Sequence, residues 1–478
     1  MNQFFVCLIY LTVVMGQCQE SAPSMDLTGK ESNQISSKEN VIAVGNAQIE
    51  KEKFYFQPTY FSPQVNFNTQ DKLYVDEVYN IILADFSFYK ERFESIDGRK
   101  TILDIGKVKE FGYPNYEQWD KDKIQYSLQI SAIEGKQEHL FGLHLKLFKN
   151  QGKTTLLDRI FFYDKKINLR YFAHSLSDII YKKIALKDSL FLSRLAFVSD
   201  KNSKGKNITK ELYLMDYDGE NVKQLTDHKG IIISPAPSFD GKKILYALLK
   251  STDTSALGQI FLSDLEKGTI TNIISRTEMI TGAVFFPEGS KVALALNQKD
   301  STNIFELDLI SKGMRKITNH PSDNVDPSIS QDGQLMAFLS GRSGPPMIYL
   351  SDPRGTELNV TRVSFQGRYN ASPHFSPQGQ EIVFSSWLDG RFDLFRLNRD
   401  GSGLVRLTKD FGSNEGARFS PDGEFLAFSS LRVVNARFAI QDIYIATRNG
   451  EIMARVTKNL GHCLTPTWVA PMNKLFED

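Results

Sequence analysis

From residue 193 to the C-terminus, short runs of apolar residues recur in a fixed order. Most units read as an apolar strand, a turn with a glycine, a second apolar strand, then a strand centred on an aromatic residue. The turn glycines are Gly241, Gly289, Gly333, Gly379 and Gly423, spaced by 48, 44, 46 and 44 residues. The aromatic centres are Tyr213, Phe261, Phe305, Tyr349, Phe395 and Tyr444, with nearly the same period. A period of about 40–50 residues with several strands per unit signals a β-propeller blade. Six centres predict six blades.

The strand before each turn is visible as Pro235 to Phe239, Ala283 to Phe286, Pro327 to Ser330, Pro373 to Ser376 and Ala417 to Ser420. The first unit lacks one. Pro466-Thr467-Trp468-Val469 looks like Pro373-His374-Phe375-Ser376. A strand from the C-terminus is therefore expected to complete the first blade and close the ring, which removes exposed sheet edges.

Upstream the pattern changes. Val75, Val78, Tyr79, Ile82, Leu83, Phe86 and Phe93 follow helical spacing. Ile124 to Ala132 and Phe141 to Leu147 alternate strictly, each predicting a strand with one buried face. A third strand is expected near Leu156 to Tyr163. A second helix follows, with Phe172, Leu176, Ile179, Ile180 and Ile184 on one stripe and His174 at its start. This mixture predicts an α/β domain over 41–190, then an all-β six-bladed propeller over 191–471 and a tail over 472–478.

At the front, Phe4 to Met15 is almost wholly apolar. A dozen residues is too short for a membrane helix, which needs about 20. The run fits a secretory signal over 1–16, with Val14 and Gly16 as the small residues before cleavage. Residues 17–40 are polar and are expected to form a disordered leader. Cys18 offers a lipid-anchor alternative, but Gln17 replaces the small residue that lipoprotein processing prefers. No later segment is apolar enough to span a bilayer, so a soluble exported protein is expected.

The net charge of +1 asks for neither nucleic acid nor an anionic membrane. The cysteines Cys7, Cys18 and Cys463 have no metal-like or redox-like spacing. Gly152-Lys153-Thr154 lacks the first glycine of a phosphate loop and reads as a hairpin turn. Asp216-Tyr217-Asp218-Gly219 places its glycine too early for a calcium loop and reads as a tight turn. The histidines are scattered, and no G-x-S-x-G motif occurs. Catalytic, cofactor and metal residues are therefore expected to be none.

A propeller offers loops clustered at the mouth of a central channel. The segments leading into the innermost strands are Ile231–Ser234, Glu278–Thr281, Ser322–Val325, Arg368–Ala371 and Ser413–Glu415. Met279 and Ile280 are apolar there. Two readings stand: a protein-docking surface, or side chains tucked into a neighbouring blade. Asp326 and Glu415 keep open an alternative, a propeller enzyme or sensor taking a small molecule or oligosaccharide in the channel.

The phrase Phe375-Ser376-Pro377-Gln378-Gly379-Gln380-Glu381-Ile382-Val383-Phe384-Ser385-Ser386 resembles the F-S-P-D-G-x-x-I-A-F-x-S unit of TolB-type propellers, as does Phe419-Ser420-Pro421-Asp422-Gly423. The closing phrases Lys316-Ile317-Thr318 and Arg406-Leu407-Thr408 fit too. Leu169 to Tyr181 is similar to the R-x-x-A-H-x-I-A-D-x-I-Y helix of the TolB family, Phe191 to Val198 to its F-x-T-R-I-A-Y-V junction, and Trp119 precedes the central strands as the family's Trp does. The resemblance covers about 41–471. It implies a soluble periplasmic protein of the Tol–Pal system. Such a protein grips the peptidoglycan-associated lipoprotein Pal at the propeller mouth and contacts TolA through the mature N-terminus. It implies Pal contacts at Met279, Ile280, Thr281, Gly282, Asn324 and Val325. Asn370 and Glu415, in the corresponding segments of the next two blades, complete the candidate set. The first of these segments is more apolar here than in the family, and the leader is longer than the family's N-terminal box.

Overall fold

The alternating segments described between residues 50 and 190 fold as a helix-covered sheet. In this computed structural model, residues 50–61, 67–100, 111–134, 140–205, 207–251, 256–299, 301–435, 438–471 and 475–476 are described. The signal peptide, the leader and Cys18 lie outside them, as does most of the tail.

The elements are β1 (Glu52–Phe56), β2 (Tyr60–Phe61), α1 (Thr69–Phe88), β3 (Phe93–Asp97), α2 (Tyr116–Asp122), β4 (Ile124–Glu134), β5 (Leu140–Lys149), β6 (Thr154–Asp164) and α3 (Leu169–Ala185). The sheet runs β3-β1-β4-β5-β6, and α1 packs on α3. Asn68 caps α1 by accepting the Asp71 N–H at 2.7 Å. Its stripe Val75, Val78, Tyr79, Ile82 and Phe86 is buried, as expected. Phe93 is not part of that helix. The chain turns at Tyr89, whose carbonyl accepts the Phe93 N–H at 2.9 Å, and Phe93 opens β3 parallel to β1. Seven residues separate it from Phe86, two helical turns, so spacing alone could not exclude it. His174 sits inside α3 rather than at its start.

Each blade is a four-stranded antiparallel meander, and there are six. The first holds β7 (Arg194–Ser199), β8 (Glu211–Asp216) and β9 (Lys223–Gln224), completed by the C-terminal strand Cys463–Val469. That strand pairs with β7, Trp468 opposite Leu195. The ring closes as the sequence implied. The other inner strands are Ile231–Pro237, Ile280–Phe285, Asn324–Ile329, Asn370–Phe375 and Ser413–Phe419.

The repeated residues hold each blade in the same way. The aromatic centres lie opposite large apolar residues of the second strand, stacking in Phe197–Tyr213, Tyr246–Phe261, Phe384–Phe395 and Phe428–Tyr444. The closing hydroxyls of Thr226, Thr318, Ser364, Thr408 and Thr457 each accept a third-strand N–H at 2.8–2.9 Å. At the inner turns, Ser238 and Ser330 donate to Asp240 and Asp332 at 2.6 Å. Gly241 there has φ +68°, and a Cβ would meet the Ala470 carbonyl at 2.1 Å, so only glycine fits.

Candidate docking face and central channel

Antiparallel order within each blade divides the disc into two faces. Turns joining the first to second and third to fourth strands share one face. Hairpins joining the second to third strands, and the connections into each inner strand, share the other.

The α/β domain sits on the turn face. The Tyr89 hydroxyl donates to Asp422 at 2.6 Å, Lys187 pairs with Glu424 at 2.5 Å and Lys90 with Glu451 at 2.6 Å. Between α1, α3 and the turn after β8 lies a buried polar cluster. His174 Nδ1 faces the Asp85 carboxylate at 3.0 Å, Tyr217 donates to Asp85 at 2.5 Å, and Arg170 binds Asp218. Burial alone would lower the His174 pKa, but Asp85 and Asp218 hold it up at about 10, so His174 is an imidazolium clip between helix and propeller. His174, Asp216 and Asp218 bring three potential metal ligands within 4.8 Å. Arg170 on Asp218, and Asn221 donating to Asp216 at 2.5 Å, already satisfy these carboxylates. Asp216-Tyr217-Asp218-Gly219 is thus the tight turn the spacing suggested, with an interdomain role the spacing did not show. Phe476 from the tail reinforces the contact, its ring 4.9 Å from that of Phe161.

The opposite face carries the expected docking residues, with corrected placement. The segments read as leading loops largely belong to the inner strands, which begin at Ile231, Ile280, Asn324, Asn370 and Ser413. Met279 stays outside and is 37% exposed, whereas Ile280 is fully buried in a blade core. Ile280 is therefore tucked into its blade, and Met279 is the residue of this pair left at the surface. Asn324, Asn370 and Val325 are buried too. Asn324 Nδ2 donates to the Ser322 carbonyl at 2.8 Å and to Asn303 at 3.1 Å, and Arg342 donates to Asn324 Oδ1 at 2.9 Å. Asn370 meets the Ser364 hydroxyl at 2.6 Å. These side chains shape the mouth from behind. Thr281 and Glu415 are half-buried, and Gly282 lines the channel. Burial pushes the Glu415 carboxyl up to about 7. Exposed apolar side chains gather elsewhere on this face: Phe365 on a connection, and Val433, Val434 and Phe438 at the end of a long hairpin.

Every inner strand breaks register at the same place. The residues there are Ser234, Gly282, Asp326, Ser372, Gly416 and Thr465, all with φ between 45° and 66°. Such a bulge turns a side chain off the sheet, and proline is tolerated after it because the ladder is already interrupted. Four of the six precede proline, a signal present in the sequence. The bulges line a cavity of about 270 Å³ together with Ser328, His374, Arg418, Thr467 and Trp468. Arg418 donates to the Ala417 and Ser372 carbonyls at 3.0 and 3.3 Å, and burial pushes its pKa down to about 10. The Ser372 N–H donates to Asp326 at 3.4 Å. His374, beside Arg418, is held neutral by burial and by that guanidinium.

A family model described as TolB beta propeller domain matches residues 181–473. The Tol-Pal system protein TolB of Francisella tularensis subsp. mediasiatica (strain FSC147) is 29% identical over 322 residues, 65% of this chain and 72% of that protein. Its counterpart in Francisella tularensis subsp. holarctica (strain OSU18) is 30% identical over the same shares. The crystal structure of TolB from Acinetobacter baumannii superposes with a TM-score of 0.70 at 22% identity, covering 88% of this chain and 97% of that one. Among the described residues no helix is long and apolar enough to cross a membrane. With the family model spanning the whole ring and its closing strand, this chain belongs to the TolB β-propeller family.

Proposed function

We propose that this chain is a non-catalytic periplasmic scaffold of the Tol–Pal envelope system. It docks the peptidoglycan-associated lipoprotein Pal on the mouth face and so supports outer-membrane integrity and constriction during division. Family membership motivates the partner. The observation that carries the site is the placement of Met279, Phe365, Val433, Val434 and Phe438 on the face the α/β domain leaves free. A rigid ring presents these anchors in place, which limits the entropy lost on association. We assign TolA to the leader over 17–40. The test is a pull-down of the protein from its own envelope extract. Met279→Arg and Phe365→Arg should each reduce recovery of a Pal-like lipoprotein at least tenfold. Unchanged recovery with both would remove this site.

A further inference from the structure

The central cavity contains two opposite charges that do not meet. Among the described residues, Arg418 donates only to main-chain carbonyls and has no carboxylate within ion-pair distance. Asp326, on the other side of Ser372, accepts one long N–H contact and feels the Arg418 charge only at longer range, with no ion-pair partner among the described residues. Burying either charge without a partner is costly, so each needs water or a ligand at its free edge. Two further polar atoms point the same way: His374 Nδ1 and Thr465 Oγ1 are buried with no hydrogen-bond partner among the described residues. Both residues line the cavity. Ala236, Val284 and Pro235 make the opposing wall apolar. A concave, partly apolar space with a few convergent polar groups is the usual form of a small-molecule site.

We propose that the channel binds a small zwitterion, an amino acid or dipeptide. Its carboxylate lies on Arg418 beside His374 and Thr465, and its ammonium lies on Asp326. Arg418 offers the guanidinium fork that suits a carboxylate. Asp326 supplies the counter-charge for the amine. A simple cation would leave Arg418 unpaired, and a simple anion would face Asp326. A molecule bearing both charges satisfies the two at once. A cavity of about 270 Å³ has room for a ligand of this size. The site lies below the mouth, so this proposal stands apart from the docking reading.

The test is saturation-transfer NMR on the full chain with L-alanine and glycylglycine, against propionate and ethylamine at equal concentration. One or both zwitterions should give transfer at least fivefold stronger than either single-charge analogue. Arg418→Gln and Asp326→Asn should each reduce it to background. Thr465→Val, nearly the same shape, should weaken it severalfold even where the charge variants fail to fold. No transfer from either zwitterion, equal transfer from propionate, or undiminished transfer in folded Arg418→Gln would overturn the assignment.

Discussion

The two faces of the propeller disc come from the same repeats and have different chemistry. The turn face is built from repeated S-x-D-G phrases, and its carboxylates are partnered: Asp422 by Tyr89, Asp218 by Arg170, Glu424 by Lys187. The mouth face is built from connections of unequal length, and it exposes Met279, Phe365, Val433, Val434 and Phe438. A turn that must close every blade has little freedom to vary, so it supplies a regular platform for another domain. A connection between blades is constrained only at its ends, so it can carry binding residues.

The largest change that should break this contrast is removal of residues 463–478. It opens the first blade, exposes the edge of β7 and takes away Phe476. Loss of cooperative unfolding, or aggregation on purification, is expected; a monomeric truncation with native circular dichroism would contradict ring closure. Next is Asp85→Ala, which leaves the imidazolium of His174 with only the more distant Asp218 carboxylate. Stability should fall by about 3–5 kcal/mol in denaturant titration. The folded His174 pKa of about 10 lies above the ordinary 6.5, so its stabilisation is complete below pH 6.5 and lost as pH rises through 10. That slope should flatten in Asp85→Ala.

On the mouth face the slope has the same sign but lies at lower pH. Glu415 has a folded pKa near 7, above the ordinary carboxyl value of 4.5, so its ionisation costs stability as pH rises from 4.5 to 7. Glu415→Gln should be neutral at pH 4 and stabilising by about 2 kcal/mol at pH 8, read as a rise in Tm. The smallest effect is expected for Met279→Arg, within about 0.5 kcal/mol of the parent, because the side chain lies at the surface outside the blade core. A large loss there would make Met279 part of the core rather than of a docking face.

The ring was legible because its determinants are local and repeated. The aromatic centres and the closing Thr318 and Thr408 each satisfy a need inside one blade, and Gly241 one between neighbouring blades. What was not legible depends on contacts between distant segments. His174 and Asp85 are 89 residues apart, and nothing around either announces a buried ion pair. The five residues Glu52–Phe56 form the parallel centre of the first sheet without any alternation to mark them. At the mouth, the segments were read as loops ahead of the inner strands, whereas most of their residues lie in those strands and several are buried. Asn324 and Asn370 are polar because they anchor strand starts inside the blade, a use that polarity alone cannot separate from solvent contact.

Photo-crosslinking compares the faces directly. A photoreactive amino acid placed in cells at Met279, on the mouth face, or at Phe239, exposed on the turn face, reports what each touches. A crosslink to a peptidoglycan-associated lipoprotein from position 279 and none from 239 is the expected result; the lipoprotein captured from 239, or from neither, would contradict docking at the mouth.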